Sequence, residues 1–343
     1  MSNTNQPGRG LRVLVTGGAG YVGSHVVQCL VDAGHAVVVY DNLSTGHPWA
    51  VAEADLVVAD LADAARLEAV LAEGQFDAVL HFAAHIWVGE SVRDPIKYYR
   101  NNVRNALGLF ELVARHGVSG MVFSSTAAVY GEPAVPSIDE AMPLSPINPY
   151  GASKMMAERM LMDIAGATGM RYAILRYFNV AGADPQGRIG EATPDNSHLI
   201  KVACEAALGL RPGMQINGTD YPTPDGTCIR DYIHVSDLAQ AHVDALHHLA
   251  AGGAPLVLNC GYGRGFSVRE VIDMVRSVCG VDFPVAEGPR RPGDPPVLVA
   301  ASGRIREVLG WQPRYDDLEF IVRTAWQWEQ KLHAAGGPQA YRR

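Results

Sequence analysis

The chain has no excess of positive charge, no long apolar run and no paired-cysteine pattern, and each absence closes a class of function. Lys and Arg total 28 against 36 Asp and Glu, a formal net charge of −8. A nucleic-acid binder relying on a general phosphate-attracting surface is therefore excluded, although a local basic pocket for a small phosphate ligand is not. No stretch approaches the ~20 consecutive apolar residues that cross a bilayer, so no membrane role is expected. The first ten residues are polar with no apolar central block, which reads against a secretory leader. Five cysteines, Cys29, Cys204, Cys228, Cys260 and Cys279, are odd in number and widely spaced, with no Cys-x-x-Cys pair. They read as buried thiols of a cytoplasmic protein, not as a disulfide frame or zinc site. Internal repeats are also missing.

What is present is a large apolar fraction. Of 343 residues, 48% are hydrophobic and 19% charged, which excludes intrinsic disorder and suits more than one average domain. Residues 11–16, 36–40, 56–59, 78–82, 121–124 and 172–176 are strand-length runs of nearly continuous hydrophobicity, as strands covered on both faces should be. Helical patterns fill 24–33, 64–72, 97–116 and 154–165. This alternation predicts right-handed crossovers and an α/β fold with a doubly wound parallel sheet. After Asn179 the segments 183–198, 211–228 and 283–296 are rich in Gly, Pro and Asp. They predict a smaller mixed α/β domain over 181–343, after a first domain over 1–180. Residues 256–260 again look like a buried strand, so the chain is expected to return to the first domain around 235–262. Both ends, 1–10 and 334–343, are expected to fray.

Gly17-Gly18-Ala19-Gly20-Tyr21-Val22-Gly23 follows the first run and opens the first helix. Such glycines fit an ordinary tight turn, or a loop whose backbone approaches a pyrophosphate while the helix N-terminus offers its free amides. Asp41, eighteen residues after Gly23 at the end of the second run, favours the second reading. An acid there accepts both ribose hydroxyls and repels a 2′-phosphate, so NAD is preferred to NADP. Asp60, ending the third run, reads as a partner for the adenine amino group or as a strand-end cap.

Tyr150-Gly151-Ala152-Ser153-Lys154 sets Tyr and Lys four apart at a helix start, on one face. A phenol with pKa near ~10 is a poor base at pH 7, and lowering it by about 3 units takes roughly 4 kcal/mol. A cation ~4 Å away at an effective dielectric of ~20 supplies about that much. Thr126, closing the fifth run, adds a hydroxyl at the carboxyl edge of the sheet, where ligands of such folds sit.

These residues resemble the extended short-chain dehydrogenase/reductase family, and within it the UDP-glucose 4-epimerases, over roughly 11–328. The resemblance is carried by His81-Phe82-Ala83-Ala84, Val88-Gly89-Glu90-Ser91, Asn101-Asn102-Val103, Arg176-Tyr177-Phe178-Asn179, and the run from Asp225 through Arg230, Asp231 and Tyr232 to His234, in that order. It implies a Rossmann-like NAD-binding first domain, a UDP-sugar-binding second domain, and epimerisation through a transient 4-keto sugar. Tyr150 would remove the proton of the 4-hydroxyl, Lys154 would hold the nicotinamide ribose and depress the Tyr150 pKa, and Thr126 would bridge sugar and tyrosine. Matching positions put NAD against Gly17, Gly20, Tyr21, Val22, Gly23, Asp41, Asn42, Asp60, Leu61, Phe82, Ala83, Ala84, Asn101, Tyr150, Lys154 and Tyr177. They put the UDP-sugar against Thr126, Asn179, His198, Leu199, Asn217, Arg230, Tyr232, Arg291, Asp294 and Leu298.

The sequence departs from the family pattern at several points. Ile86 stands where relatives usually carry a Lys that touches the cofactor, His198 where an Asn is common, and Asn217 where an aromatic often flanks uracil. Leu298 replaces a size-limiting Tyr, compatible with a 2-acetamido sugar. A UDP-xylose/UDP-arabinose 4-epimerase is the nearest alternative. A 4,6-dehydratase would need acids beside the threonine, where Ala127 and Ala128 stand instead, and a silent NAD-binding regulator could lose the Tyr, Lys or Thr that this chain keeps. His81 and His85 read as core or loop residues, with no metal expected. Met156, Met160 and Ile164 form the main apolar arc of their helix. Met155 and Met162 leave a second strip for a partner, and the resemblance likewise implies a homodimer.

Overall fold

The computed structural model describes residues 10–342 apart from 52, 134, 195, 292 and 293. Seven strands form the central sheet: β1 (Arg12–Thr16), β2 (Ala36–Asp41), β3 (Asp55–Val58), β4 (Ala78–His81), β5 (Gly120–Thr126), β6 (Arg171–Tyr177) and β7 (Leu256–Cys260). Their order is β7-β6-β5-β4-β1-β2-β3, and every pairing is parallel. Every residue of β4 and β5 is buried, whereas the edge strand β3 is only partly covered. That gradient is what continuous apolar runs produce when helices cover both faces. The strand order reverses between β1 and β4, so the carboxyl ends of these neighbours open a crevice.

Short strands build the rest. Ile229–His234 pairs with Gly265–Ser267, Val297–Ala300 and Asn179–Ala181, and Ser137–Ile138, from the first half of the chain, joins through Val297–Ala300. Met214–Asn217 pairs with Val285–Gly288. This layer lies over the carboxyl edge of the large sheet.

Three expectations are corrected. The single helix over 97–116 is interrupted: Pro95–Tyr98 passes into a π-helical stretch, Tyr99–Asn105, before Ala106–Arg115. In the widened turns Asn102 is buried and bonds both the backbone of His85 and the Ser153 hydroxyl, while Asn101 faces the crevice. Nor does the described C-terminal segment fray. Tyr341 is 4% exposed against Trp328 and Trp49, and the Trp49 indole donates to the Pro338 oxygen at 3.1 Å. At the other end, residues 1–9 lie outside the described residues. The methionine strip differs too: Met155 packs against the cluster around Ala127 and Tyr130, Met160 and Met162 pack on the sheet, and Met156 is the exposed member.

Candidate active site

One cavity of about 800 Å³ runs along the crevice from the β1 turn to the overlying layer. At its first end the glycine turn is held against the sheet. Gly17 takes φ +74°, and a Cβ there would stand 2.4 Å from the Ala83 nitrogen; one at Gly23 would stand 2.2 Å from the Gly17 oxygen. Only glycine allows this closeness. Gly17, Gly20, Tyr21, Val22 and Gly23 all line the cavity, and the helix Tyr21–Asp32 points its N-terminus into it.

Asp41, at the end of β2, accepts from the Ala19 and Leu43 amides at 3.0 and 2.8 Å; burial raises its pKa and those two bonds oppose the rise. Asn42 donates to Asp60 at 2.6 Å, and Asp60 also accepts from the Ala62 amide, so it both lines the cavity and caps its turn. Leu61, Phe82, Ala83, Ala84 and Asn101 complete this half.

The middle is built by helix Pro149–Thr168 against β5 and β6. Asn148 caps the helix by accepting from the Gly151 amide at 2.9 Å, Pro149 sits in its first turn, and Gly169 ends it at φ +77°. Tyr150 and Lys154 thus share one face, as the spacing predicts. Thr126 hydrogen-bonds the Tyr150 phenol, and Tyr98 meets its ring edge-on at 6.4 Å. Lys154 does not line the cavity. Its ammonium lies behind the wall, donating to the Ser124 oxygen at 2.8 Å, while the Ser124 hydroxyl bonds the Tyr177 phenol.

Electrostatics here differ from the sequence expectation. Burial pushes Tyr150 up to about 12, with the Thr126 bond opposing, and burial pulls Lys154 down to about 7, with the Glu158 carboxylate opposing. Desolvation dominates both groups because each is almost fully enclosed. Glu158 is in turn gripped by Arg176 at 2.6 Å and by the Ser125 hydroxyl, wholly inside the protein.

At the far end Asn179, His198, Leu199, Arg230, Tyr232, Asp294 and Leu298 line the cavity. Arg230 faces Asp294 at 3.5 Å. Two predicted residues are not brought to the wall: Asn217 accepts from Gln215 at 3.1 Å, and Arg291 is exposed, 3.9 Å from Asp294. Residues the sequence did not flag also line it, notably Glu191 and Lys97. Glu191 bonds the His198 imidazole at 2.8 Å. Burial lowers the His198 pKa, yet the carboxylate outweighs it and the value is raised. Lys97 pairs with Glu90 at 2.6 Å on the same wall as Ile86. Glu191 lies in no periodic segment that would have marked it, and Lys97 opens the 97–116 pattern as an ordinary polar position.

The donor set fits a dinucleotide: a glycine cradle closed to any Cβ, free helix amides, an acid at the end of β2, and a long cavity leading past a phenol. Residues 13–261 match the family described as NAD dependent epimerase/dehydratase. The chain belongs to the NAD dependent epimerase/dehydratase family. Among relatives, the UDP-glucose 4-epimerase of Azospirillum brasilense is 57% identical over 335 residues, 97% of this chain and 96% of that one. The UDP-glucose 4-epimerase of Brucella ovis, solved in complex with NAD, is similar at a TM-score of 0.90 and 48% identity, over 92% of this chain and 98% of that. The UDP-Glc/GlcNAc 4-epimerase of Campylobacter jejuni is similar at 0.82 and 46%, over 94% and 100%.

Proposed function

We propose that this chain is an NAD-dependent UDP-sugar 4-epimerase that interconverts UDP-glucose and UDP-galactose. The observation that carries it is the Thr126–Tyr150 hydroxyl pair opening on the same cavity as the glycine cradle and Asp41. The family match and the relatives' names support it. Residues 1–180, with the return around 235–262, serve the cofactor, and the remainder of 181–343 serves the UDP-sugar.

NAD, when bound, supplies a two-electron acceptor for the hydrogen of the sugar C4 carbon. Gly17, Gly20 and Gly23 make room for its pyrophosphate, and Asp41 accepts from its adenine ribose. Tyr150 takes the proton of the 4-hydroxyl as phenolate, and Thr126 holds the sugar oxygen and the phenol in line. Lys154 is the buried cation of the chain that favours the phenolate; two such ions stabilise each other against the burial that disfavours each alone. Arg230 meets the substrate diphosphate with its planar fork, assisted by Asn179 and His198. The sugar end of the cavity is then free for the 4-keto sugar to turn and regain its hydrogen on the other face.

Leu298, at the cavity wall, leaves room where a tyrosine would not, which supports acceptance of 2-acetamido sugars as well. The protein works as a homodimer: Val92 and Ile96, 62% and 65% exposed, together with exposed Leu107 and Met156, offer apolar surface to a second copy. No described helix is long and apolar enough to cross a membrane. Five free thiols support a cytoplasmic location.

The test is product analysis after incubation with UDP-hexoses, UDP-2-acetamidohexoses and UDP-pentoses. UDP-galactose formed from UDP-glucose supports the reading. Conversion of pentoses alone replaces it with the UDP-xylose/UDP-arabinose alternative, and a 4-keto-6-deoxy product would make the chain a dehydratase.

A further inference from the structure

Two cysteines distant in sequence meet beyond the cavity wall. Cys204 lies on helix Leu199–Ala207, whose first residues line the cavity, and Cys279 closes helix Val268–Cys279. The helices pack together, Cys279 packs against the hydrophobic cluster that contains Cys204, and the two thiols interact directly. We propose that this pair is a thiol–disulfide site oxidised by hydroperoxide, with Cys279 the attacking sulfur and Cys204 the resolving one.

Access and polarity assign the roles. Cys204 is fully buried and Cys279 only half-buried, so a small oxidant reaches Cys279 first. The interaction with Cys204 favours the Cys279 thiolate and holds its pKa below the ordinary value, while the same interaction, with burial, pushes Cys204 up. An accessible thiol of lowered pKa beside a resolving thiol is the arrangement that oxidises reversibly. The other cysteines lack it: burial pushes half-buried Cys29 up to about 11, and Cys228 and Cys260 are buried.

The chemistry closes with peroxide alone. The Cys279 thiolate attacks one peroxide oxygen, the O–O bond breaks, and the departing hydroxide is protonated to water, leaving a sulfenic acid. The Cys204 sulfur gives up its proton and attacks the sulfenyl sulfur; the S–O bond breaks and a second water leaves. Two thiols have lost two electrons, and hydrogen peroxide has become two waters. The resulting bond fastens the cavity-facing helix to its outer neighbour.

The whole chain is treated with hydrogen peroxide, its intact mass read without reductant, and its peptides mapped. The expected result is loss of two hydrogens and a crosslinked peptide joining Cys204 to Cys279, reversed by dithiothreitol. Cys204→Ser should stop at a Cys279 sulfenic acid that dimedone captures, and Cys279→Ser should give neither product. The wild-type map decides even if a variant fails to fold. Cys279 left unreacted, carried to sulfinic acid without a crosslink, or outrun by Cys29 would overturn the proposal.

Discussion

The Lys154 ammonium donates to the Ser124 backbone oxygen at 2.8 Å, and the side chain of that same serine bonds Tyr177 at the cavity wall. The cation is thus tied to the end of β5, one strand residue pair from Thr126, and is buried enough to be drawn down to about 7. Glu158 already favours its charge, and a Tyr150 phenolate would favour it further. Lys154→Met should therefore move the acid limb of the activity profile upward by about 1–3 pH units, the range over which an adjacent opposite charge shifts a pKa. A pH–rate profile that stays in place would remove the electrostatic role.

Glu158 anchors the same helix from inside. Both its oxygens accept from the Nε/Nη2 edge of Arg176, and it shares no contact with solvent. Glu158→Gln leaves a buried guanidinium without its counter-ion and should cost about 3–5 kcal/mol in urea unfolding. The exposed Arg159–Asp163 pair, one residue further along, should give no measurable change on Arg159→Ala.

Two histidines predict acid sensitivity. His25 and His242 each bond the backbone carbonyl four residues earlier and leave the other ring nitrogen without a partner. Burial lowers both from 6.5 to about 4. Between those values the unfolded chain binds protons that the folded chain refuses, so their contribution is whole above pH 6.5 and drains away as pH falls towards 4. Urea midpoints should fall over that window in the wild type and fall less in a His25→Gln/His242→Gln variant. Equal slopes would contradict the assignment.

Leu298 pairs beside Arg230 in the small sheet and reaches the cavity wall. Leu298→Tyr should reduce kcat/KM for UDP-2-acetamido sugars well below its effect on plain hexoses. Equal losses would show that residue 298 does not gate sugar size.

Much of this architecture is legible in the sequence because burial on both faces writes each central strand as an unbroken apolar run; residues 256–260 coincide with β7. The glycine-turn end of the cavity is equally legible, since the glycine turn and Asp41 occupy fixed places after β1 and β2. The overlying layer is not. Ser137–Ile138 and Asn179–Ala181 are too short to show a period, and their pairing depends on strands far along the chain. The π-helical turn at Tyr99–Asn105 is equally silent, because the contacts of Asn102 set it and not a pattern of hydrophobes. Glu191 is found only once its loop folds back on His198.

In the proposed reaction Tyr150 serves a reversible oxidation at C4 in which the hydrogen never leaves the protein. The most direct measurement follows UDP-galactose deuterated at C4 by NMR, with wild type and Tyr150→Phe. The wild type should yield UDP-glucose with deuterium still at C4. The variant, with fold and NAD content unchanged, should be slower by roughly 10²–10⁴. Deuterium lost to solvent, or a phenylalanine variant as fast as the parent, would contradict it.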